Sequence, residues 1–559
     1  MLTLAGAIVG DPAPSGFCAL RTKGFVDPKL LELMPGVVYS KKYGRYYLPE
    51  NVLPARNGDY AVPKARYAPS GLKLRQYQNE GVTFIDKSVK GCLVADDTGV
   101  GKTIQAIHYL HENSFLRPFI VVGPLIALGS WVGEDADAAK YYNLNVAQLK
   151  SRSPDPSKLP EADGYFLTYN VLDAWEPWLA AHVRPRAVIL DEAHNLRNPR
   201  RKDARAAQRL CKDSNIHKRI IMTATPVTNA VRDLWMLLDC AQPDLWGPWV
   251  PWAGYHRNSF RTRWCAAHRD EYGWKDEGES NIEELRYRLT RVLLRRSRFH
   301  VRKELPAFQR RVVKIPKDGL NQTAFKKYVE VAGAIKTLTA GSGSLGAQTI
   351  SRLTGMAKHI SWAKRDVAVR EAMDLVNNAW NKKVVVFCWY QKTAEYISKE
   401  LIKKGVHVFG PVTGKTTGPR RIKLATQFRD LEDDTGDTGS AFIGTLGATG
   451  QALNPLSCAS YALCVDLYWV PATLLQAEGR LHREGQKSNV LISYLVVEDS
   501  IDMLMYEHLL KKAKAIENCV QDPGALSMCE QLGGRSEEES TAKLLAELSA
   551  LDFDDMELS

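Results

Sequence analysis

The densest cluster of chemistry-bearing residues is Asp97-Thr98-Gly99-Val100-Gly101-Lys102-Thr103, between an apolar run, Gly91–Ala95, and a helical stretch, Ile104–Glu112. A strand, a glycine loop and a helix start are what phosphate binding requires. Glycines let backbone N–H groups close around phosphate oxygens at the positive end of a helix. Lys102 can then reach the outer phosphates, and the Thr103 hydroxyl can hold Mg2+. One position departs from the GxxxxGK[ST] pattern, because Asp96 stands at its first glycine. Taken alone, the segment also fits an ordinary strand-to-helix turn.

A second constellation is Ala187-Val188-Ile189-Leu190-Asp191-Glu192-Ala193-His194. An apolar strand delivers two carboxylates at its C-terminal end, where open α/β sheets place their ligands. There Asp191 would hold Mg2+ through water, and Glu192 would polarise an attacking water. The 89 residues from Lys102 to Asp191 leave room for two or three βα units. An Asp-Glu pair alone is commonly a solvated strand end, but on an apolar strand behind a glycine loop the chemical reading prevails. Of 12 histidines only His194 and His482 fall in motifs, and no Ser/His/Asp set or metal cluster stands out.

Sheets must hold these residues. From Leu72 to about Arg298, short β-branched runs alternate with helical stretches, as in a buried parallel sheet with crossover helices. The runs are Gly91–Ala95, Phe119–Val122, Gly164–Thr168, Ala187–Leu190 and Arg219–Met222. A basic segment, 299–375, contains Gly341-Ser342-Gly343-Ser344, which reads as a flexible loop between helices. A second strand-rich region follows, with runs Lys383–Trp389, His407–Phe409, Ser440–Gly444, Tyr461–Val465 and Asn489–Val497, closed by a helix over Ser500–Cys519. After Pro523 the chain reads as loop and then as an acidic tail. Before residue 65 it is rich in Pro, Gly and Tyr, with short strands expected on either side of Lys41–Gly44. The expected class is α/β with two parallel-sheet lobes, a small N-terminal extension and an acidic C-terminal tail. The divisions fall at 1–65, 66–300, 301–375 as a linker, 376–520, and 521–559.

A chain of 559 residues with 45% hydrophobic and 25% charged residues is globular and multidomain, neither fibrous nor wholly disordered. Its 75 Lys+Arg against 63 Asp+Glu give +12. From Ser536 to Ser559 eight acids stand against one lysine, so the tail is −7 and the remainder about +19. A basic body suits a polyanion partner. Ten cysteines, none in a CxxC, sit in runs such as Val386-Phe387-Cys388 and read as small buried residues of a reducing compartment. No apolar run approaches 18 residues, and the N-terminus lacks the basic start of a secretory signal. A soluble, cytoplasmic protein with no membrane partner is expected.

Several blocks taken in order resemble the superfamily 2 helicases. Asp191-Glu192-Ala193-His194 has the DEAH form of the family's Walker B box, and Thr223-Ala224-Thr225-Pro226 is similar to motif III. Leu74-Arg75-Gln76-Tyr77-Gln78 resembles the adenine-reading Q motif. Gly450-Gln451-Ala452-Leu453-Asn454 resembles motif V, and Gln476-Ala477-Glu478-Gly479-Arg480-Leu481-His482-Arg483-Glu484-Gly485-Gln486 looks like motif VI in its Snf2 form. Leu294-Arg295-Arg296, Val301–Pro306 and Asp466–Pro471 also resemble Snf2 segments. The likeness spans roughly residues 70–515 and is nearest the compact SMARCAL1-like branch, a plan suited to a bacterial or bacteriophage source. Departures are Thr98 for the family's usual Met, Glu484 for Ile and Gln451 for Gly.

The resemblance implies two RecA-like lobes, with ATP and Mg2+ as cofactors. It assigns nucleotide contacts to Arg75, Gln78, Thr98, Gly99, Val100, Gly101, Lys102, Thr103, Gly450 and Gln476, and metal contacts to Thr103 and Asp191. Lys102, Asp191, Glu192, Arg480 and Arg483 would carry catalysis. Arg480 and Arg483 lie three apart, on one face if helical, and offer planar, permanently charged donors to a γ-phosphate. They follow Lys102 by 378 residues or more, so a second lobe would have to close to deliver them. His194 would couple the site to motif III by a hydrogen bond. Track contacts would come from Pro124-Leu125, Thr168-Tyr169-Asn170, Cys388-Trp389-Tyr390-Gln391 and Thr445–Ala448, at strand ends suited to phosphate tracking. The stretch Trp246–Trp252 with His256, Arg257, Arg261 and Arg263 reads either as a base-stacking surface or, in preference, as a packed linker.

The expected activity is ATP-dependent, sequence-independent translocation of a monomer on duplex or branched DNA, with DNA preferred to RNA. The alternatives are a strand-separating or annealing helicase, a nucleic-acid-stimulated clamp or displacer of bound protein, and a non-hydrolysing binding module. The intact ATP-site residues argue against the last.

Overall fold

The computed structural model describes residues 65–249, 259–270, 273–276, 278–302, 304–339, 347–379, 381–431, 439–449, 454–520 and 523–532, and four strands nearer the N-terminus. The chain divides into two units, Met1–Ser297 with Asn518–Gln521 and Arg298–Glu517 with Asp522–Ser559.

Strands β1 (Ala7–Val9), β2 (Phe17–Thr22), β3 (Val38–Ser40) and β4 (Arg45–Pro49) form an antiparallel sheet in the order β1-β2-β4-β3. The strands expected around Lys41–Gly44 are β3 and β4, with Ser40 opposite Arg45.

The first unit's main sheet has seven strands. They are β5 (Gly91–Val94), β6 (Phe119–Gly123), β7 (Val146–Leu149), β8 (Gly164–Thr168), β9 (Ala187–Leu190), β10 (Lys218–Met222) and β13 (Leu293–Leu294). A hairpin, β11 (His268–Asp270) and β12 (Gly273–Lys275), lies outside it. The order is β13-β5-β10-β9-β6-β8-β7, and every pair is parallel. Central strands β5, β6, β9 and β10 are buried along their whole length; β5, β6 and β9 accordingly read as unbroken apolar runs, while β10 opens on the buried charged pair Lys218-Arg219 before its apolar half. Strands β7 and β13 were not expected: the first is only half-buried along its middle, and the second is two residues long. Helices α1 (Gln76–Lys87), α2 (Lys102–Glu112), α3 (Tyr169–Trp178), α4 (Lys202–Lys212) and α5 (Leu234–Ala241) accompany this sheet.

The second unit's sheet contains β14 (Phe308–Ile315), β15 (Lys383–Cys388), β16 (His407–Val412), β17 (Ser440–Thr445), β18 (Tyr461–Cys464) and β19 (Val490–Val497), in the parallel order β14-β19-β18-β15-β17-β16. Its helices include α6 (Arg365–Asn378), α7 (Gln391–Lys403), α8 (Gly418–Asp430), α9 (Pro471–Leu481), α10 (Ile501–Val520) and α11 (Pro523–Leu532).

Two further elements differ from expectation. Within the basic span 301–375, Phe308–Ile315 is an edge strand of the second sheet; Arg310, Arg311 and Lys314 hide its alternation. The segment after Pro523, read as loop, is α11. Proline is tolerated in a helix's first turn, and Ala525, Met528 and Leu532 recur at helical spacing and are buried. The Gly341–Ser344 stretch, Gly450–Leu453 and the acidic tail lie outside the described residues. Seven of the described cysteines, including Cys92, Cys388 and Cys464, are buried thiols. Among the described residues no helix is long and apolar enough to cross a membrane.

Candidate active site

In the first sheet β5 lies beside β10, and β10 beside β9. Parallel strands sit about 4.8 Å apart, so the loop after β5, Thr223 after β10 and Asp191-Glu192 after β9 emerge side by side at one sheet edge.

The loop after β5 enters α2 through Gly101, whose φ of +89° marks the left-handed conformation that glycine adopts without strain. Gly99 is also left-handed, at +80°. Lys102 and Thr103 therefore open the helix, with Lys102 Nζ donating to the Asp96 carbonyl at 2.8 Å and the Asp97 carbonyl at 3.3 Å. The Thr98 N–H donates to Asp97 Oδ1 at 2.8 Å. Gln78 reaches the same loop: a Cβ placed on Gly101 would lie 2.6 Å from its Nε2. Gln78 Oε1 accepts from the Arg75 N–H at 2.9 Å, closing a cap at the start of α1. Hence Gln78, Gly101 and Lys102 come together although 23 residues separate Gln78 from Gly101.

Asp96, the departure from the glycine pattern, has a structural explanation. It is fully buried, and its carboxylate accepts from Arg296 Nε at 3.0 Å and Nη2 at 2.5 Å, and from Gln105 Nε2 at 3.3 Å. Arg296 also donates to the Tyr77 carbonyl, bracing α1 against the loop. A glycine could not anchor this guanidinium. Sequence reasoning missed the role of Arg296, since nothing local signals a partner 200 residues away.

Asp191 is buried, and Glu192 is half-buried beside it with a left-handed φ of +50°. Asp191 Oδ1 accepts from the Glu192 N–H at 3.0 Å, and Oδ2 from Trp131 Nε1 at 3.4 Å. The Tyr169 hydroxyl donates to the Asp191 carbonyl at 2.7 Å, tying Thr168-Tyr169-Asn170 to this corner. Burial, then repulsion from Glu192, pushes the Asp191 pKa up to about 6, while the Lys102 charge acts in the opposite direction. His194 Nδ1 lies 3.1 Å from Thr223 Oγ1 and 3.3 Å from Glu192 Oε2, so the expected link to the Thr223 segment is present. Thr223 Oγ1 in turn accepts from the Thr225 N–H at 3.1 Å.

This corner fits a nucleotide with a divalent cation. Two adjacent carboxylates, one with its proton affinity raised by burial, call for positive charge. A lysine at a helix start beside left-handed glycines suits phosphate.

The pattern of an SNF2-related domain matches residues 77–364, and that of a helicase conserved C-terminal domain matches residues 367–485. The chain belongs to the SNF2-related family. It is 28% identical over 455 residues to SWI/SNF-related matrix-associated actin-dependent regulator of chromatin subfamily A-like protein 1 of Xenopus tropicalis, covering 80% of this chain and 45% of that protein. It is likewise 28% identical over 450 residues to DNA annealing helicase and endonuclease ZRANB3 of Mus musculus, covering 79% and 40%. The chain thus spans less than half the length of these relatives. The solved Sulfolobus solfataricus SWI2/SNF2 ATPase core in complex with dsDNA aligns with 82% of this chain and 98% of its own, at 20% identity and a TM-score of 0.36.

The segment that resembles motif VI builds α9 and the turn after it. Gln476 and Arg480 are half-buried on the helix, and Arg483 is half-buried beyond its end. Burial, then the neighbouring charge of Arg302, pushes the Arg483 guanidinium below its usual value. His482 Nε2 lies 2.8 Å from the Pro306 carbonyl; a carbonyl only accepts, so this nitrogen carries the proton. Gln486 is structural, donating to the carbonyls of Ala459 at 2.8 Å and Leu481 at 3.2 Å. Motif spacing alone does not single out Glu478, yet it is buried and held by Arg310 at 2.7 Å.

The candidate track contacts stand at strand ends. Leu125 follows β6 and is 65% exposed. Trp389 and Tyr468 stack with ring centroids 3.8 Å apart, and Asp466 accepts from the Trp389 N–H at 2.8 Å. Arg421 on α8 donates to the carbonyls of Thr416 at 2.7 Å and Ala448 at 3.2 Å, securing the turn after β17. The Trp246 segment packs as a linker within the described residues. Trp246 is buried, Trp235 Nε1 donates to the Gly247 carbonyl at 2.9 Å, and Arg261 pairs with Asp276 at 2.6 Å. Arg263 pairs with Glu284 at 2.5 Å, while His256 and Arg257 lie outside the described residues.

Proposed function

We propose that this chain is an ATP-driven motor that moves along duplex or branched DNA without reading its sequence. The observation that carries the reading is the single sheet edge where Gln78 meets Gly101 and Lys102 acts on Asp191. Residues 66–300 and 376–520 serve as RecA-like lobes, the second completed by β14 and α6 from the 301–375 span. Thr103 and Asp191 would hold Mg2+, which neutralises phosphate charge. Lys102 exchanges its carbonyl partners for phosphate oxygens, Gln78 and Arg75 read the base, and Glu192 polarises the attacking water and takes up its proton. Arg480 and Arg483 stabilise the charge that develops in the transition state.

Glu192→Gln should bind ATP but not turn it over, and Lys102→Ala should bind it weakly. Near-normal turnover by Glu192→Gln would reject the assignment. ATPase measured in parallel with duplex, forked and single-stranded DNA and RNA tests the track. Duplex or forked DNA should stimulate most, binding should fall steeply with salt, and a third strand should be displaced from a triplex. Similarity to a protein named an annealing helicase favours one alternative, activity on branched or reannealing strands. Efficient unwinding of a tailed duplex, with single strands the best activator, would establish a strand-separating helicase instead.

A further inference from the structure

Arg310 belongs to none of the motifs, yet its side chain is completely buried. Its Nε and Nη2 donate to Glu478 Oε1 and Oε2, both at 2.7 Å, and the buried Tyr494 hydroxyl donates to the same carboxylate. Glu478 lies midway between Gln476 and Arg480 on α9. On the opposite side Arg310 is held by α11. Its Nη1 donates to Ser527 Oγ at 3.0 Å, and its backbone N–H donates to Gln531 Oε1 at 2.8 Å. Gln531 Nε2 completes the contact at the Phe308 carbonyl, 3.4 Å away.

A planar fork on both carboxylate oxygens fixes direction as well as distance. At about 100° per residue, Gln476 and Arg480 each lie about 200° round α9 from Glu478, in opposite senses and so about 40° from each other. Locking Glu478 inward therefore sets the bearing of both on the outer face. A buried ion pair is a poor device for stability alone, since a well-packed apolar pair does as well or better. What it supplies is orientation, and catalytic geometry tolerates only about 10–20° of error.

We propose that Arg310 and Glu478 are positioning residues for Gln476 and Arg480, and that the C-terminal helix α11 holds this clamp closed, governing ATP turnover from outside the nucleotide site. The proposal rests on the motor reading, in which Arg480 acts on the γ-phosphate.

The test uses the full chain with duplex DNA, measuring ATPase kcat and KM, binding of a fluorescent ATP analogue, and thermal melting. The double variant Ser527→Ala/Gln531→Ala removes α11's grip without burying an unpaired charge. It should lower kcat about threefold to tenfold, with nucleotide affinity within about twofold and melting nearly unchanged, as expected for a misoriented group. Arg310→Lys, which keeps the charge but loses the fork, should lower kcat further. If Arg310→Lys does not fold, the double variant decides. A double variant with wild-type kcat, or one whose kcat falls only with melting temperature and nucleotide affinity, would overturn the proposal. Arg480→Ala in the same assay separates the two ideas. A slow Arg480→Ala beside a fast double variant rejects the clamp alone, whereas a fast Arg480→Ala rejects the role given to Arg480 and the clamp with it.

Discussion

Asp191 carries its charge where charge is costly. Burial and the adjacent Glu192 raise its pKa from 3.8 to about 6, so it binds a proton more readily in the folded chain than in the unfolded one. Above pH 6 its ionisation therefore weakens the fold. A rise of about two units, at about 1.36 kcal/mol each, sets an upper figure of about 3 kcal/mol. Asp191→Asn removes the charge but keeps only one oxygen, so of the bonds that the Glu192 N–H and Trp131 Nε1 now make to Oδ1 and Oδ2 one is lost. Allowing for that lost bond, the net gain is about 1–2 kcal/mol. The penalty is full above pH 6, shrinks as pH falls through 6, and is absent below 3.8. Asp191→Asn should thus melt above wild type at pH 7.5, the gap should narrow by pH 5, and ATPase activity should collapse. Mg2+ with ATP should raise the melting temperature of wild type more than that of the variant, by linkage. Scanning fluorimetry across this pH range, with and without Mg2+ and ATP, reads each part. A variant that melts below wild type at pH 7.5, or a gap unchanged between pH 7.5 and 5, would refute the reasoning.

Arg480→Ala or Arg483→Ala should cut kcat by up to about 10³–10⁵ while changing ATP affinity much less, as read in single-turnover and binding assays; loss of affinity alone would count against the finger role. Gly101→Ala should weaken nucleotide binding, since the residue stands at φ +89° with Gln78 Nε2 2.6 Å from the added carbon, and a left-handed alanine costs about 1–2 kcal/mol. Thr223→Val, which breaks the bond to His194, should leave ATP binding intact and reduce stimulation of turnover by DNA. Removing Ser536–Ser559, which carries −7, should tighten DNA binding at low salt if the tail screens a basic surface; unchanged affinity across a salt series would leave it a solubilising role.

Much of the fold was legible locally. Gly164–Thr168 and Ala187–Leu190 match the expected strands residue for residue, and Lys383–Cys388 and Ser440–Thr445 do so within one residue. A buried parallel strand is largely apolar, and its end must turn, so the sequence marks both. The glycine loop and the Asp191-Glu192 pair were visible for the same reason: a loop conformation and a strand end are properties of a few adjacent residues. Only the tertiary structure decided strand order, which places β10 between β5 and β9 and brings residues 96, 191 and 223 to one edge. It also decided which charges are buried. Arg296 and Arg310 look like surface residues in the chain, but their partners, Asp96 and Glu478, lie 200 and 168 residues away. No local pattern reports such pairs, because the burial that makes them strong exists only after distant segments have packed.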